Sequence, residues 1–156
     1  MRGKLVTLVA AILVISTGLR AAEDPRIGTW KINLQKSRYS PGPPPKSMTV
    51  RFEPNGADGV KVTVDTVSAQ REVTRHQYSA NYDGKDYPVS GDPGRDTVAL
   101  KRIDLYTLEY TNKRGGKVIN SYREVVAKDG KSRTITQKGM SSQGQPVDNL
   151  LVYDRQ

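Results

Sequence analysis

Residues 105–126 read LYTLEYTNKR, then GG, then KVINSYREVV: two stretches of alternating polar and apolar residues joined by Gly115-Gly116. A glycine pair in this position is typical of a two-residue hairpin turn, because both central residues of that turn adopt positive φ. The stretch therefore predicts two antiparallel strands in which Arg114 lies opposite Lys117.

This register predicts which residues of the hairpin face the interior. Counting back from the turn gives three further cross-strand pairs: Tyr110 with Ser121, Leu108 with Arg123, and Tyr106 with Val125. Because this face carries more apolar and aromatic groups than the other, we expect it to point inward. Arg123 is the cation on it, and in the interior it requires a carboxylate, hydroxyl groups or an anionic ligand head group, unless it extends to the rim.

The same alternation recurs along the chain from residue 27 to residue 154, with turns marked by Gly, Pro, Asn and Asp. For example, Val60, Val62 and Val64 alternate with polar residues after a turn that begins at Pro54. No stretch keeps helical spacing for three turns, and no crossover helix is indicated. The sequence predicts a single all-β domain over residues 23–156, an antiparallel up-and-down β-barrel of about 8–10 strands with little helix.

A proline-rich segment at residues 36–47 interrupts this pattern; it contains Pro41, Pro43, Pro44 and Pro45. Proline has no backbone N–H to donate, so the segment cannot join the interior of a sheet. We expect an extended strap after the first strand. A polyproline ligand for another domain is the alternative.

The first 22 residues predict an export signal. Arg2 and Lys4 precede an apolar stretch from Leu5 to Ile15, and small and polar residues follow. This stretch of 11 residues is shorter than the ~20 that a membrane-spanning helix needs, which favours a cleavable signal peptide over a permanent anchor. Cleavage is expected between residues 18 and 22. The mature protein is therefore predicted to be periplasmic or secreted, with no integral membrane span.

From Glu23 onward the chain keeps 22 bases against 16 acids, so the mature protein carries a formal charge of +6. Because the acids are interspersed among the bases, this charge favours anionic partners only in a general, salt-sensitive way. The chain contains no cysteine, so its stability depends on packing and strand pairing even in an oxidising compartment.

Candidate catalytic and metal-binding residues are few. His76 is the one histidine and cysteine is absent, which argues against a zinc site and a Ser/His/Asp triad. Two carboxylate pairs, Asp83 with Asp86 and Asp92 with Asp96, flank turns, where aspartate usually caps the local backbone. Tyrosines interleaved with bases favour nucleic-acid binding in some proteins, but export argues against it here. We predict a non-enzymatic protein with no cofactor, no bound metal and no nucleic-acid partner.

Two short motifs mark the ends of the mature chain: Gly28-Thr29-Trp30-Lys31 and Tyr153-Asp154-Arg155. They resemble the termini of the calycins, the lipocalin and fatty-acid-binding β-barrels, in which a Gly-x-Trp opening closes one barrel end. The resemblance implies that Gly28 and Trp30 lie at that end with Arg155 against the indole, a contact that contributes about 0.5–2 kcal/mol.

The chain departs from the fatty-acid-binding proteins in two places. The strap takes the position of the helical lid of fatty-acid-binding proteins, and Leu151 stands two residues before Tyr153, where their Arg-x-Tyr carboxylate site has arginine. The sequence therefore resembles a bacterial secreted relative of these groups.

We expect an exported, non-enzymatic β-barrel that binds a small hydrophobic or amphipathic ligand. The residues predicted to contact the ligand are Tyr78, Tyr106, Leu108, Tyr110 and Arg123, and those predicted to close the barrel are Gly28, Trp30 and Arg155. The alternative is an envelope-associated structural or interaction protein with a filled barrel, whose surface contacts another protein or an anionic polymer. An enzyme that works through His76 is a third interpretation.

Overall fold

Ten β-strands make up the fold of the described residues. The computed structural model describes residues 23–141 and 144–156, so the predicted signal peptide at residues 1–22 lies outside it. In chain order the strands are β1 (Gly28–Ile32), β2 (Ser47–Pro54), β3 (Gly59–Val67), β4 (Val73–Asn81), β5 (Asp83–Ser90), β6 (Thr97–Arg102), β7 (Thr107–Arg114), β8 (Lys117–Val126), β9 (Ser132–Met140) and β10 (Pro146–Arg155). Within these described ranges, no helix is long and apolar enough to cross a membrane.

The strands close into one antiparallel barrel. Each strand pairs with the next along the chain, and β1 pairs with β10 through Trp30–Arg155 and Ile32–Tyr153. This up-and-down order places alternate turns at the same end of the barrel. We call the end with the turns after β2, β4, β6 and β8 the closed end, and the other the open end. The all-β barrel predicted from the sequence is confirmed.

The strap between β1 and β2 lies along β10. β1 is only five residues long, but the chain goes on pairing with β10 after it. The N–H of Arg38 donates to the carbonyl of Leu150 at 2.7 Å, and the N–H of Leu150 donates back at 2.9 Å. The carbonyl of Ser40 accepts from the N–H of Asp148 at 2.8 Å. The strap thus covers the part of β10 that β1 is too short to reach, while its prolines at residues 41–45 join no strand.

Side chains at alternate strand positions fill the interior. The buried apolar cluster consists of Trp30, Ile32, Val50, Phe52, Val60, Val62, Val64, Ala80, Val98, Leu100, Leu108, Val126, Ile135, Leu151 and Tyr153. Barrel diameter grows with strand number, and about eight strands already give an interior that side chains just fill. Ten strands with short valine side chains on the inner wall therefore leave space inside.

The Gly115-Gly116 hairpin forms as β7 and β8, but with a different register from the one predicted. Arg114 pairs with Lys117 as expected; a bulge at Ile119 then shifts the register by one residue. The observed pairs are Thr107–Val125, Leu108–Glu124, Glu109–Arg123, Tyr110–Tyr122 and Thr111–Ser121. The predicted pairs of Tyr106, Leu108 and Tyr110 are wrong, because a one-residue slip turns every later side chain of β8 to the opposite face.

Arg123 consequently lies on the outer surface of the barrel. Its side chain is 51% exposed, and its Nη1 lies 2.5 Å from Oε1 of Glu109 on the neighbouring strand. The shift brings Glu124 inward instead, where its side chain is 2% exposed. The predicted position of Arg123 in the cavity is therefore wrong.

The next hairpin, whose register the sequence leaves open, places Ile135 in the interior. Val126 pairs with Arg133, and the chain between β8 and β9 turns through residues 127–131. With this register Ile135 is 3% exposed and lies opposite both Glu124 and Leu151.

Candidate functional site

The closed end of the barrel is sealed around Trp30. Its indole is fully buried, and Nε1 donates to the carbonyl of Arg26 at 2.8 Å. The Arg155 guanidinium lies over the ring, with Cζ 4.2 Å from the ring centroid. Gly28 adopts a φ of 129°, and a Cβ at this position would lie 2.7 Å from Arg155 Nη1. Position 28 therefore requires glycine both for its backbone conformation and for clearance of the guanidinium.

Arg155 also joins two other segments at the closed end. Its Nη1 donates to the carbonyl of Ile27 at 2.7 Å and its Nη2 to that of Pro25 at 2.5 Å. Its Nε donates to the carbonyl of Gly130 at 2.6 Å. One side chain thus holds together the segment before β1, the turn after β8 and the buried indole.

Four charged side chains lie next to this seal, and we call Asp24, Arg26, Glu124 and Arg133 the closed-end network. Arg26 Nη1 lies 3.2 Å from Asp24 Oδ1, and its Nε lies 2.9 Å from Glu124 Oε1. The other carboxylate oxygen of Glu124 accepts from Arg133 Nη1 at 3.1 Å. Two carboxylates therefore neutralise two guanidiniums, as charges this deeply buried require.

Asp24 also contacts residues at the rim of the closed end. It accepts hydrogen bonds from the Tyr82 hydroxyl at 2.6 Å and from Arg102 Nη2 at 2.7 Å. Burial alone raises the pKa of Asp24, but the hydrogen bonds of Tyr82 and Arg26 and the charges of Arg26 and Arg102 leave that pKa below its ordinary value. Asp24 is therefore ionised at neutral pH and supplies the second negative charge of the network.

Arg133 lies among three aromatic rings. Its Cζ is 4.4 Å from the ring centroid of Tyr153, 4.7 Å from that of Phe52 and 5.6 Å from that of Trp30. These rings and Glu124 fix the guanidinium in the interior, where Arg133 also lines the barrel cavity.

The cavity has a volume of about 480 Å³ and extends toward the open end. Small-molecule sites typically have volumes of about 300–1,000 Å³. The apolar part of its lining is formed by Met48, Val50, Phe52, Val62, Val64, Leu108, Ile119, Ile135, Met140, Val147 and Leu151. The volume and this lining suit a small, partly apolar molecule.

Arg95 reaches into the cavity from the turn after β5. Its Nη1 donates to Asn112 Oδ1 at 2.5 Å, and its Nε lies 3.0 Å from Asp92 Oδ2. Asn112 in turn donates from Nδ2 to the Tyr122 hydroxyl at 3.0 Å. The positive charge of Arg95 is therefore balanced by Asp92 and its direction is fixed by Asn112.

A ladder of side-chain amides crosses β8, β9 and β10 at the open end, beginning at Asn120, which pairs with Asn112 on β7. Gln137 Nε2 donates to Asn120 Oδ1 at 3.3 Å, and Asn149 Nδ2 donates to Gln137 Oε1 at 2.9 Å. Asn149 Oδ1 accepts from the backbone N–H of Ser40 in the strap at 2.7 Å. Together with Arg95 this ladder makes the mouth of the cavity polar, so apolar walls lie between two polar ends.

His76 at the mouth is expected to titrate near pH 4. Burial and the neighbouring Arg95 charge lower the pKa of His76 from 6.5 to about 4, although Asp92 and Asp65 oppose the shift. The unfolded chain binds the proton more readily, so the stability that neutral His76 contributes is present above pH ~6.5 and is lost as the pH falls toward 4. Because the chain has a single histidine, its imidazole NMR signals report this directly. A midpoint near pH 6.5 would contradict the placement of His76.

Four tyrosines line the cavity, and two of them form a stacked pair. Tyr110 on β7 and Tyr122 on β8 have ring centroids 4.4 Å apart and an interplanar angle of 5°. Burial raises the pKa of Tyr78 and of Tyr122 to about 12, and that of Tyr110 well above 10. These phenols therefore stay protonated at neutral pH, and each O–H is available as a hydrogen-bond donor.

Three of the five residues predicted to contact a ligand line the cavity, and two lie elsewhere. Tyr78, Leu108 and Tyr110 all line the cavity. Tyr106 lies in the turn before β7 at the closed end, packed against the core but away from the cavity lining, which corrects its predicted position. Arg123 lies outside the barrel, as described above. Ligand contact by the three residues inside stays a prediction.

Sequence reasoning missed four charged residues of the interior: Arg26, Arg95, Glu124 and Arg133. Glu124 alternates with Tyr122 and Val126, so its face is evident once the bulge in β8 is known. Arg133 alternates with Ile135 in the same way. Arg26 and Arg95 lie outside strands, where no periodic signal marks a buried residue.

In residues 23–141 and 144–156, no three His, Cys, Asp or Glu side chains are grouped as metal ligands. His76 Nδ1 lies 4.0 Å from Asp92 Oδ2, and a third such side chain is not grouped with them in the described part of the chain.

Comparison with known proteins identifies the fold. No protein-family model and no curated protein matches the chain. The crystal structure of the wild-type fluorescent protein UnaG matches with a TM-score of 0.55 and 17% identity, over 83% of this chain and 96% of that chain. A mutant of UnaG matches with a TM-score of 0.56 and 17% identity, over 85% and 96%. The chain therefore folds as a calycin-like β-barrel.

Proposed function

We propose that this protein is a non-enzymatic binding protein that holds a small amphipathic molecule in its barrel cavity. The observation that carries the proposal is the 480 Å³ cavity, whose apolar walls lie between a polar mouth and the closed-end network. The alternative of a filled barrel that acts only through its outer surface is less consistent with this volume. Solved barrels of similar fold include the fluorescent protein UnaG.

We also propose that binding takes place outside the cytoplasm, after removal of residues 1–22. The basic start and short apolar stretch of that segment support this. Mass spectrometry of protein recovered from the extracytoplasmic fraction of an expression host tests it: a mature N-terminus between residues 18 and 23 is expected, and an intact chain retained in the cytoplasm would contradict it.

Filling the cavity should abolish binding without unfolding the barrel. Val64 is 8% exposed and lines the cavity, so Val64→Phe is expected to lower ligand affinity by at least about tenfold while overpacking costs about 1–3 kcal/mol of stability. Calorimetric titration with dodecanoate, farnesol and 2-acetylnaphthalene measures the affinities of an acyl, an isoprenoid and an aromatic compound.

Lys61→Phe is the matched control for this experiment, because Lys61 lies three positions earlier on the same strand and is exposed on the outer face. This variant should bind as the native protein does. If none of the three compounds binds the native protein, and native mass spectrometry finds no copurified small molecule, the proposed function is wrong.

A further inference from the structure

The lining of the cavity is unusually rich in aromatic rings for this chain. Of its ten Phe, Trp and Tyr residues, five line the cavity: Phe52, Tyr78, Tyr110, Tyr122 and Tyr153. Aromatic rings prefer offset-stacked or edge-to-face neighbours and gain about 0.5–1.5 kcal/mol per pair beyond burial of area. Such walls favour a flat ring system over a flexible acyl chain of equal volume, since the ring also loses less conformational entropy on binding.

The cavity also presents hydrogen-bond donors that the protein leaves without acceptors. The hydroxyls of Tyr78 and Tyr110 have no hydrogen-bond partner among the described residues, and neither has Nε of Arg133. Tyr78, Tyr110 and Arg133 all line this one cavity. All three groups donate, and Nε of Arg133, which is buried, is costly to leave without an acceptor. A complementary ligand therefore carries acceptor oxygens at this point.

The charge balance of the interior decides whether those oxygens are ionised. Glu124 already neutralises Arg133, and Asp24 neutralises Arg26. At the mouth Asp92 neutralises Arg95. A ligand carboxylate placed beside Arg133 would meet a guanidinium that Glu124 already neutralises and would keep its desolvation cost, whereas Arg114, which also lines the cavity, lies exposed at its rim. A carbonyl oxygen accepts the same hydrogen bonds without that cost.

We propose that the cavity selects an uncharged, flat aromatic molecule that carries a carbonyl group, with the carbonyl oxygen directed at Tyr78, Tyr110 and Arg133. This inference rests on the proposed function and narrows it: an anionic ligand head group was one of the partners that the sequence analysis considered for Arg123. The structure removes Arg123 from the interior and replaces it with a guanidinium that is already paired.

Four compounds test separately the preference for a ring, for a carbonyl group and for an uncharged ligand. 2-Acetylnaphthalene, 2-ethylnaphthalene and 2-naphthoate share one ring system and differ in a carbonyl, an alkyl and a carboxylate group, while 2-dodecanone carries the carbonyl on a flexible chain. In calorimetric titrations of the full mature chain at neutral pH, we expect 2-acetylnaphthalene to bind tightest. Its affinity should exceed that of 2-ethylnaphthalene by about fivefold, as one net hydrogen bond provides, and that of 2-naphthoate by at least about tenfold.

Tyrosine variants test the direction of the carbonyl. Tyr78→Phe and Tyr110→Phe keep the rings, so each should weaken 2-acetylnaphthalene about threefold to fivefold and leave 2-ethylnaphthalene unchanged. Tyr39→Phe is the matched control: its hydroxyl is buried without a partner among the described residues, but Tyr39 lies in the strap and does not line the cavity. Equal effects of both cavity variants on the two compounds would overturn the proposed carbonyl contact.

Glu124→Gln tests the charge argument, because it leaves Arg133 without its carboxylate. In a folded Glu124→Gln protein, 2-naphthoate should gain on 2-acetylnaphthalene by about tenfold. If this variant does not fold, the order of the four compounds on the native protein still decides.

Each of the other possible titration results contradicts one part of the proposal. Tighter binding of 2-naphthoate than of 2-acetylnaphthalene by the native protein overturns the preference for an uncharged ligand. Tighter binding of 2-dodecanone overturns the preference for a ring. Binding of dodecanoate or farnesol but of none of the naphthalenes overturns this inference while the proposed function stands; the proposed function itself fails only if no compound of any class binds.

Discussion

Replacing Glu124 by glutamine is expected to lower the free energy of unfolding by about 3–5 kcal/mol, because it leaves two buried guanidiniums with one carboxylate fewer. Glu124 accepts from Arg133 and lies 2.9 Å from Arg26 Nε, and the two arginine side chains are 2% and 0% exposed. Glutamine has nearly the same shape, so the loss reports the missing charge rather than a cavity. Urea unfolding followed by circular dichroism measures it.

Glu109→Gln is the matched control, because Glu109 also pairs with an arginine on a neighbouring strand. That pair lies on the outer surface, with Glu109 45% and Arg123 51% exposed. Exposed pairs contribute about 0–1 kcal/mol, so this variant should unfold almost as the native protein does. Equal losses in the two variants would show that Glu124 is not buried between its arginines, and the register of β8 would then be wrong.

Replacing Trp30 by alanine is also expected to lower the free energy of unfolding by about 3–5 kcal/mol. The indole is fully buried, and its Nε1 bonds to the carbonyl of Arg26. Alanine removes the surface against which Arg155 and Arg133 pack, and it opens a cavity at the closed end. Thermal unfolding followed by far-ultraviolet circular dichroism measures the loss, since the variant has no tryptophan to report by fluorescence.

Trp30→Phe separates ring packing from the rest of this effect. It keeps an aromatic surface under Arg155 but loses volume and the Nε1 hydrogen bond, so its loss of unfolding free energy should be smaller than that of Trp30→Ala.

In the native protein, tryptophan emission should be blue-shifted and resistant to iodide quenching. A loss below about 1 kcal/mol for Trp30→Ala would contradict the sealed end.

The two ends of the barrel differ in a way that suits a binding protein. At the closed end, segments distant in sequence are joined by the charge-assisted hydrogen bonds of Arg155 and by the Arg26–Glu124 ion pair of the closed-end network. At the open end, the lining comes partly from turns and from the strap side, where Arg95 and the amide ladder are the polar contacts. We therefore expect a ligand to enter through the open end while the closed end keeps the barrel together.

The sequence alone was sufficient to predict the barrel and the residues that seal its closed end. Alternation of apolar and polar residues has a period of two in any strand, so it identifies strands without knowledge of their partners. The Gly115-Gly116 turn located one hairpin correctly, and the motifs at Gly28, Trp30 and Arg155 named the residues that meet at the closed end.

The interior chemistry was decided only by the tertiary structure. A single bulge at Ile119 exchanged Arg123 for Glu124 on the inner face, and nothing local in the sequence marks that extra residue. The pairing of Arg26 with Glu124 joins residues far apart in the chain, so it exists only once β1 and β10 close the barrel. Strand patterns are a local property of the chain, whereas register and charge pairing depend on which distant strands become neighbours.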